Sequence, residues 1–335
     1  MRHVSGPRQL RLLPFAASAL SLGLRVLCGL SAVLPLPSWS DSLVSPEILS
    51  RRPIEGPDGR RFAECLAQAA SMGSGGKGPN NPACARTALR ASSPFARRMS
   101  EDGQLLAFAS DHMLFVRRSL SEAGSDYSQL LLSGSSTGLK QVVAIALDSR
   151  RSEAAIIDAS SPSSIQIYPV SKGGSFAYRR RLKHPSLEGI RDLALDGGRE
   201  RIYAVNPNRP ELLVLDSQAD DRHPSESRRN PMVARIAGDQ TGLIRPASVA
   251  VDSQNGRVFV LDTGRRCILV FGVSQSGNVA PTAVIESGPV PIGSEDHPSP
   301  IGYDRKSGTI QVLGYDSGPE PVQLRFRLEP VVSQR

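Results

Sequence analysis

Histidine, cysteine and aromatic side chains are scarce in this sequence, and each scarcity removes a class of function. Five histidines are spread over 335 residues: His3, His112, His184, His223 and His297. No two fall at a helix-type or Cys-x-x-Cys-type metal spacing, so a zinc finger or a helical zinc-protease motif is excluded. Aromatic residues make up 5%. A nucleic-acid surface needs clustered cations with aromatics between them, whereas here the arginines are scattered in pairs such as Arg97-Arg98 and Arg228-Arg229. No Gly-x-Ser-x-Gly elbow is present, which removes the commonest nucleophilic hydrolase signature. Gly73-Ser74-Gly75-Gly76-Lys77-Gly78 lacks the Ser or Thr that follows the lysine of a phosphate-binding loop, and reads as a surface loop.

No unbroken apolar run reaches the roughly 20 residues that a membrane-spanning helix needs. Residues 1–40 instead have the layout of a secretory signal peptide. Arg2, Arg8, Arg11 and Arg25 precede Val26–Leu36, and Ser38-Trp39-Ser40 offers small residues for cleavage before Asp41. The expectation is a periplasmic or secreted protein, or a membrane-anchored one if the signal stays on, with no membrane span after cleavage. The whole chain carries 40 Lys+Arg against 32 Asp+Glu, and 36 against 32 without the four leader arginines. So mild an excess argues against a nucleic-acid partner. Cys65 and Cys84 flank a Gly/Pro/Asn-rich loop and are the expected disulfide in an oxidising compartment. Cys267 lies within an apolar strand pattern and reads as a buried thiol.

What the sequence does have is a recurring phrase. Ala247–Val251 is short and apolar, Asn255-Gly256 is a strong hairpin turn, and Val258–Leu261 is apolar on both faces. Asp262-Thr263-Gly264 then turns into Ile268–Phe271, and Pro281–Ile285 supplies a fourth, outer strand. The phrase repeats at Val143–Asp148, Arg191–Gly198 and Pro300–Asp304, and in weaker form from Met99. Its marker aspartates are Asp102, Asp148, Asp196, Asp252 and Asp304, at spacings of 46, 48, 56 and 52. A near-fixed period with several short strands per unit predicts an all-β protein, a β-propeller of four-stranded blades. Asp148, Asp196, Asp252, Asp262 and Asp304 are expected to be structural turn formers, whose carboxylates accept backbone N–H groups.

Pro246…Val249-Ala250-Val251-Asp252, Val258–Gly264 and Ile268–Phe271 together resemble an NHL repeat, best over residues 242–285. Arg265, Arg266 and Cys267 stand where the family phrase has Asn, His and Arg. The resemblance implies a closed ring over residues 96–330. Residues 41–95 form an N-terminal segment, read as a degenerate first blade around Gly56–Ala63 and the Cys65/Cys84 loop. The repeat spacing over the mature length favours six blades, with five as the alternative. In the five-blade alternative the N-terminal segment is irregular. Pro319–Leu328 is expected to supply the final strand.

Fold alone does not fix function. Residues seven before the marker aspartates are Gln141, Gly189, Arg245 and His297. A lyase-like zinc site on such a propeller needs several histidines there. Gln141, Arg245 and His297 are the candidate binding residues at one mouth of the ring. The expected function is an exported, non-catalytic scaffold of the bacterial periplasm or cell envelope that binds a protein or small ligand. No catalytic residue, cofactor or metal is assigned. The alternative is a metal-dependent, lactonase-like hydrolase holding a divalent ion in the central channel.

Overall fold

The computed structural model describes residues 47–48, 52–53, 97–110, 113–119, 127–133, 137–161, 163–170, 177–286, 292, 300–315 and 321–327. The proposed leader, Gly56–Ala63, Cys65, Cys84 and His297 lie outside the described residues.

The described residues build a β-propeller of antiparallel four-stranded blades. Two short strands, β1 (Glu47–Ile48) and β2 (Arg52–Pro53), come first in the chain. The first blade follows: β3 (Arg97–Met99), β4 (Leu105–Ser110), β5 (Met113–Ser119) and β6 (Tyr127–Ser133). The second runs β7 (Val142–Asp148), β8 (Glu153–Asp158), β9 (Ser164–Pro169) and β10 (Arg180–Lys183). The third holds β11 (Asp192–Asp196), β12 (Arg201–Asn206), β13 (Glu211–Asp216) and β14 (Met232–Ala237). The fourth holds β15 (Pro246–Asp252), β16 (Arg257–Asp262), β17 (Cys267–Gly272) and β18 (Ala283–Glu286). The last comprises β19 (Ile301–Asp304), β20 (Thr309–Tyr315) and β21 (Pro321–Arg327).

Blade stacking explains why the strands are apolar runs without alternation. Every residue of β8, β9 and β15 is buried, because each sheet is covered by a neighbour on both faces. One apolar layer joins Leu105, Ala107 and Leu114 to Ile145, Ile156 and Tyr168. The next joins Ala155 and Ile167 to Leu193 and Leu213, and a third joins Tyr203 and Val214 to Val249 and Leu269. The fourth joins Phe259 and Ile268 to Ile310 and Phe326, with the Phe259 and Tyr303 rings 5.5 Å apart.

The expected final strand is β21, and its free edge is paired by β1 and β2 from the other end of the chain, through Glu47 with Arg327 and Arg52 with Gln323. Gly56–Ala63, the place of the expected sixth blade, lies outside the described residues, which form five sheets. The last of these meets the first directly, with Arg305 N donating to Glu101 O at 2.8 Å.

The polar insertion between β13 and β14 docks on the second blade. Asp221 N donates to Arg181 O at 2.8 Å, and Arg181 pairs with Asp221 at 2.6 Å. The Arg181 and Arg222 guanidinium groups both lie over the Tyr178 ring, 5.9 and 5.1 Å from its centre.

Candidate functional site

Each inner strand starts at one end of the ring, here called the upper face, and ends at the lower face. Because neighbouring strands are antiparallel, the turns between second and third strands also lie on the upper face. The hinge of the marker turns lies on the lower face.

At the lower face the marker aspartates bind their own turns. Asp148 Oδ1 accepts from Arg150 N and Arg151 N at 2.9 and 3.2 Å. Asp196 accepts from Arg199 N, and Asp304 from Lys306 N and Ser307 Oγ. Asp252 accepts from Asn255 N, Asn255 Nδ2 and the Arg257 guanidinium. Burial raises the Asp252 pKa, but the bonds from Asn255 and Arg257 outweigh it and leave the carboxyl below its ordinary value. Four residues after the markers the backbone is left-handed: Ser152, Glu200, Gly256 and Gly308 have φ of 53, 56, 66 and 65°.

On the upper face a second set of side chains ties down the loops that lead into the inner strands. Asp262 Oδ2 accepts from Ile244 N and Arg245 N at 2.7 and 3.0 Å, and its Oδ1 accepts from Arg265 N. Burial nonetheless pushes the Asp262 pKa up. Asp158 accepts from Lys140 N and Gln141 N, and Asn206 Nδ2 donates to Glu188 O. All three residues end the second strand of a blade.

Gln141 and Arg245 sit immediately before β7 and β15 on this upper face, Gln141 exposed and Arg245 half-buried. Gly189 is not their counterpart. β11 is two residues shorter than β7 and β15, each of which carries a register shift against its neighbour. The residue before β11 is therefore Arg191. Burial, and then the positive charge of Arg245, lower the Arg191 pKa.

The axis holds a constellation that a fixed offset of seven passes over. Four residues before the markers stand Arg98, Ala144, Asp192 and Ser248. Arg98 Nε donates to Ile145 O at 3.3 Å, Nη1 to Ile301 O, and Nη2 to Leu193 O and to Asp192 Oδ1. The other Asp192 oxygen accepts from Ser248 Oγ and from Val249 N at 3.0 Å. Ser248 Oγ accepts from Ile301 N at 2.8 Å. One ion pair thus touches all five blades. Its side chains are 10% and 0% exposed, so the pair works in a low-dielectric setting. The sequence signal was three polar residues at one repeat position of otherwise apolar strands.

Beside Arg98 lies a cavity of about 40 Å³, lined by Ala146, Leu195, Val251, Tyr303 and Glu101. Glu101 accepts from Ser253 N and Ser253 Oγ, and burial raises its pKa. Among the described residues no three His, Cys, Asp or Glu side chains gather where one metal ion would be held. Cys267 is buried. No helix among the described residues is long and apolar enough to cross a membrane.

Radial four-stranded sheets around a plugged axis define the class: this is a β-propeller. Residues 243–271 match the family model of the NHL repeat, so the fourth blade carries an NHL repeat. A search of curated proteins gave no match. Among solved structures the chain is similar to Kuenenia stuttgartiensis hydrazine synthase, with 14% identity and a TM-score of 0.41 over 66% of this chain and 55% of that one. It is similar to the β-propeller domain of Cps50 (Swd1) from Myceliophteria thermophila, at 10% identity and a TM-score of 0.44, covering 68% and 67%. It is also similar to a functionally unknown protein from Desulfotomaculum acetoxidans, at 10% identity and 0.42, covering 66% and 65%. The chain spans little more than half of the hydrazine synthase chain, and these likenesses carry no chemistry over to it.

Proposed function

We propose that this protein is an exported, non-catalytic scaffold of the bacterial periplasm or cell envelope, which binds a partner through the upper face of its propeller. The observation that carries this reading is the Arg98–Asp192 pair on the axis. The paired side chains, hydrogen-bonded to the backbone of the inner strands, occupy the axis where a channel ion would have to pass. The cavity beside Arg98 measures about 40 Å³. The upper loops are held in place by Asp158, Asn206 and Asp262. Rigidly supported loops are where a scaffold fold places binding residues.

The test is in-cell photo-crosslinking with the reactive residue placed at Gln141 on the upper face or at Lys306 on the lower face. The expected result is a discrete adduct from Gln141 only, in a periplasmic fraction whose chain begins at Asp41. A cytoplasmic chain that retains Met1, or purified protein with a stoichiometric divalent ion and hydrolase activity, overturns the reading.

A further inference from the structure

The connections between third and fourth strands leave the lower face of the ring. Among the described residues, two of them reach back to the outer strand of the preceding blade. Residues 273–282 cover the outer edge of β14 with backbone, since Ala237 N donates to Gly277 O at 3.1 Å and Gly277 N to Arg235 O at 2.7 Å. Residues 217–231 cover the outer edge of β10, where Asp221 N donates to Arg181 O at 2.8 Å. An uncovered edge would be a row of backbone groups open to another strand.

The cover of β10 has a fixed root and a charged outer part. At the root Ser217, Ala219 and Pro231 are buried, and Arg180 Nε donates to Ser217 O at 3.1 Å while its two outer nitrogens take Glu153. From residue 220 to residue 230 nothing is buried, so no apolar burial holds this part down. What holds it is polar. Asp221 Oδ2 accepts from Arg181 Nε at 2.7 Å, and Arg222 donates to Arg179 O and pairs with Asp220 at 3.0 Å. Asp220 N donates to Arg228 O at 3.0 Å, which ties the outer part into one unit. The anchor is also incomplete, because Asp221 Oδ1 is buried and has no hydrogen-bond partner among the described residues. A buried acceptor left unfilled counts against the closed form.

We infer that residues 220–230 are a salt-releasable clasp on the second blade. Closed, the clasp occupies the outer edge of β10. Open, it swings away on its root at Ser217, Ala219 and Pro231 while the ring stays folded, and the Arg181 backbone is uncovered. Ion pairs this near the surface contribute little and are screened by salt, so ionic strength shifts the balance towards the open form. The clasp lies on the rim of the ring and works whether or not the upper loops bind a partner.

The experiment is hydrogen exchange of the full chain, read by mass spectrometry between about 20 mM and about 500 mM NaCl. Exchange over residues 218–223 is expected to quicken at least about fivefold, while β8 and β9 stay within about twofold. Asp221→Ala, which removes the anchor, is expected to give the fast exchange already at low salt. Arg151→Ala breaks the ion pair with Glu200 on the lower face and is the control; it is expected to leave residues 218–223 as in the parent. Exchange over 218–223 that ignores both salt and Asp221→Ala overturns the inference. So does exchange that quickens there only in step with β8 and β9, since the covering loop would then be an integral part of the ring. An equal effect of Arg151→Ala would trace the change to general loosening and overturn it too.

Discussion

Arg98 on the innermost strand of the first blade forms a buried ion pair with Asp192 on the innermost strand of the third, across the axis of the ring. The contact passes over the second blade. A buried pair of this kind is weak evidence for net stability, because both ions lose their water. Removing one partner is another matter, since it strands a charge. Arg98→Ala and Asp192→Ala are each expected to lower the unfolding free energy by about 3–5 kcal/mol, read by chemical denaturation. A loss below about 1 kcal/mol in both would mean that the axis is wet and the pair ornamental.

Gly197 lies against the Asp148 carboxylate of the preceding blade. A Cβ at this position would sit 1.9 Å from Asp148 Oδ2. Gly197→Ala must therefore push the two blades apart at the marker turn, and is expected to cost about 1–3 kcal/mol. At Gly198 the nearest atom to an added Cβ is Arg150 Nη1, at 3.1 Å, the end of a flexible side chain. Gly198→Ala should therefore be milder. The reverse order of the two melting temperatures would contradict the packing described.

Glu101 gives a pH signature. Burial, the largest influence, raises its pKa above the ordinary 4.5, against the lowering effects of Ser253 and Arg305. For a carboxyl with a raised folded-state pKa, the stabilising contribution is complete below the unfolded value and is lost as pH rises through the folded one. Glu101→Gln removes that loss. The variant's melting temperature relative to the parent is expected to climb between about pH 4 and pH 7. A relative melting temperature that falls over the same window would show that the ionised form is the favoured one.

β1 and β2 cover the free edge of β21. A chain that begins at residue 54 should expose that edge, and an exposed edge recruits other strands. Size-exclusion chromatography is expected to show self-association of the shortened chain, where the parent elutes as a single smaller species. An unchanged elution profile and an unchanged melting temperature would show that these strands do not hold the ring shut.

The fourth blade was the most legible part of the fold, for physical reasons. Asn255-Gly256 fixes a turn, and Val258–Leu261 is apolar on both faces because the neighbouring blades cover both. Ring closure was not legible. β1 and β2 are two residues each, too short to carry a hydrophobic period, so the sequence offered only a spacing argument for the N-terminal segment. The same spacing argument left out one upper-face position. Register shifts at the starts of β7 and β15 lengthen two inner strands and not β11, so one fixed offset reaches Gln141 and Arg245 but passes over Arg191. The axis left a readable trace in Arg98, Asp192 and Ser248. Which of them meet could not be read, because partners 94 and 56 residues apart are joined only by the circular arrangement.

The most direct measurement is a double-mutant cycle on the axis, with Arg98→Met, Asp192→Leu and the combined variant unfolded in denaturant. A locked axis predicts that the combined variant is more stable than the sum of the two single losses implies, by about 2 kcal/mol or more. Losses that simply add would mean the two side chains do not meet, and the plugged channel on which the binding reading stands would be gone.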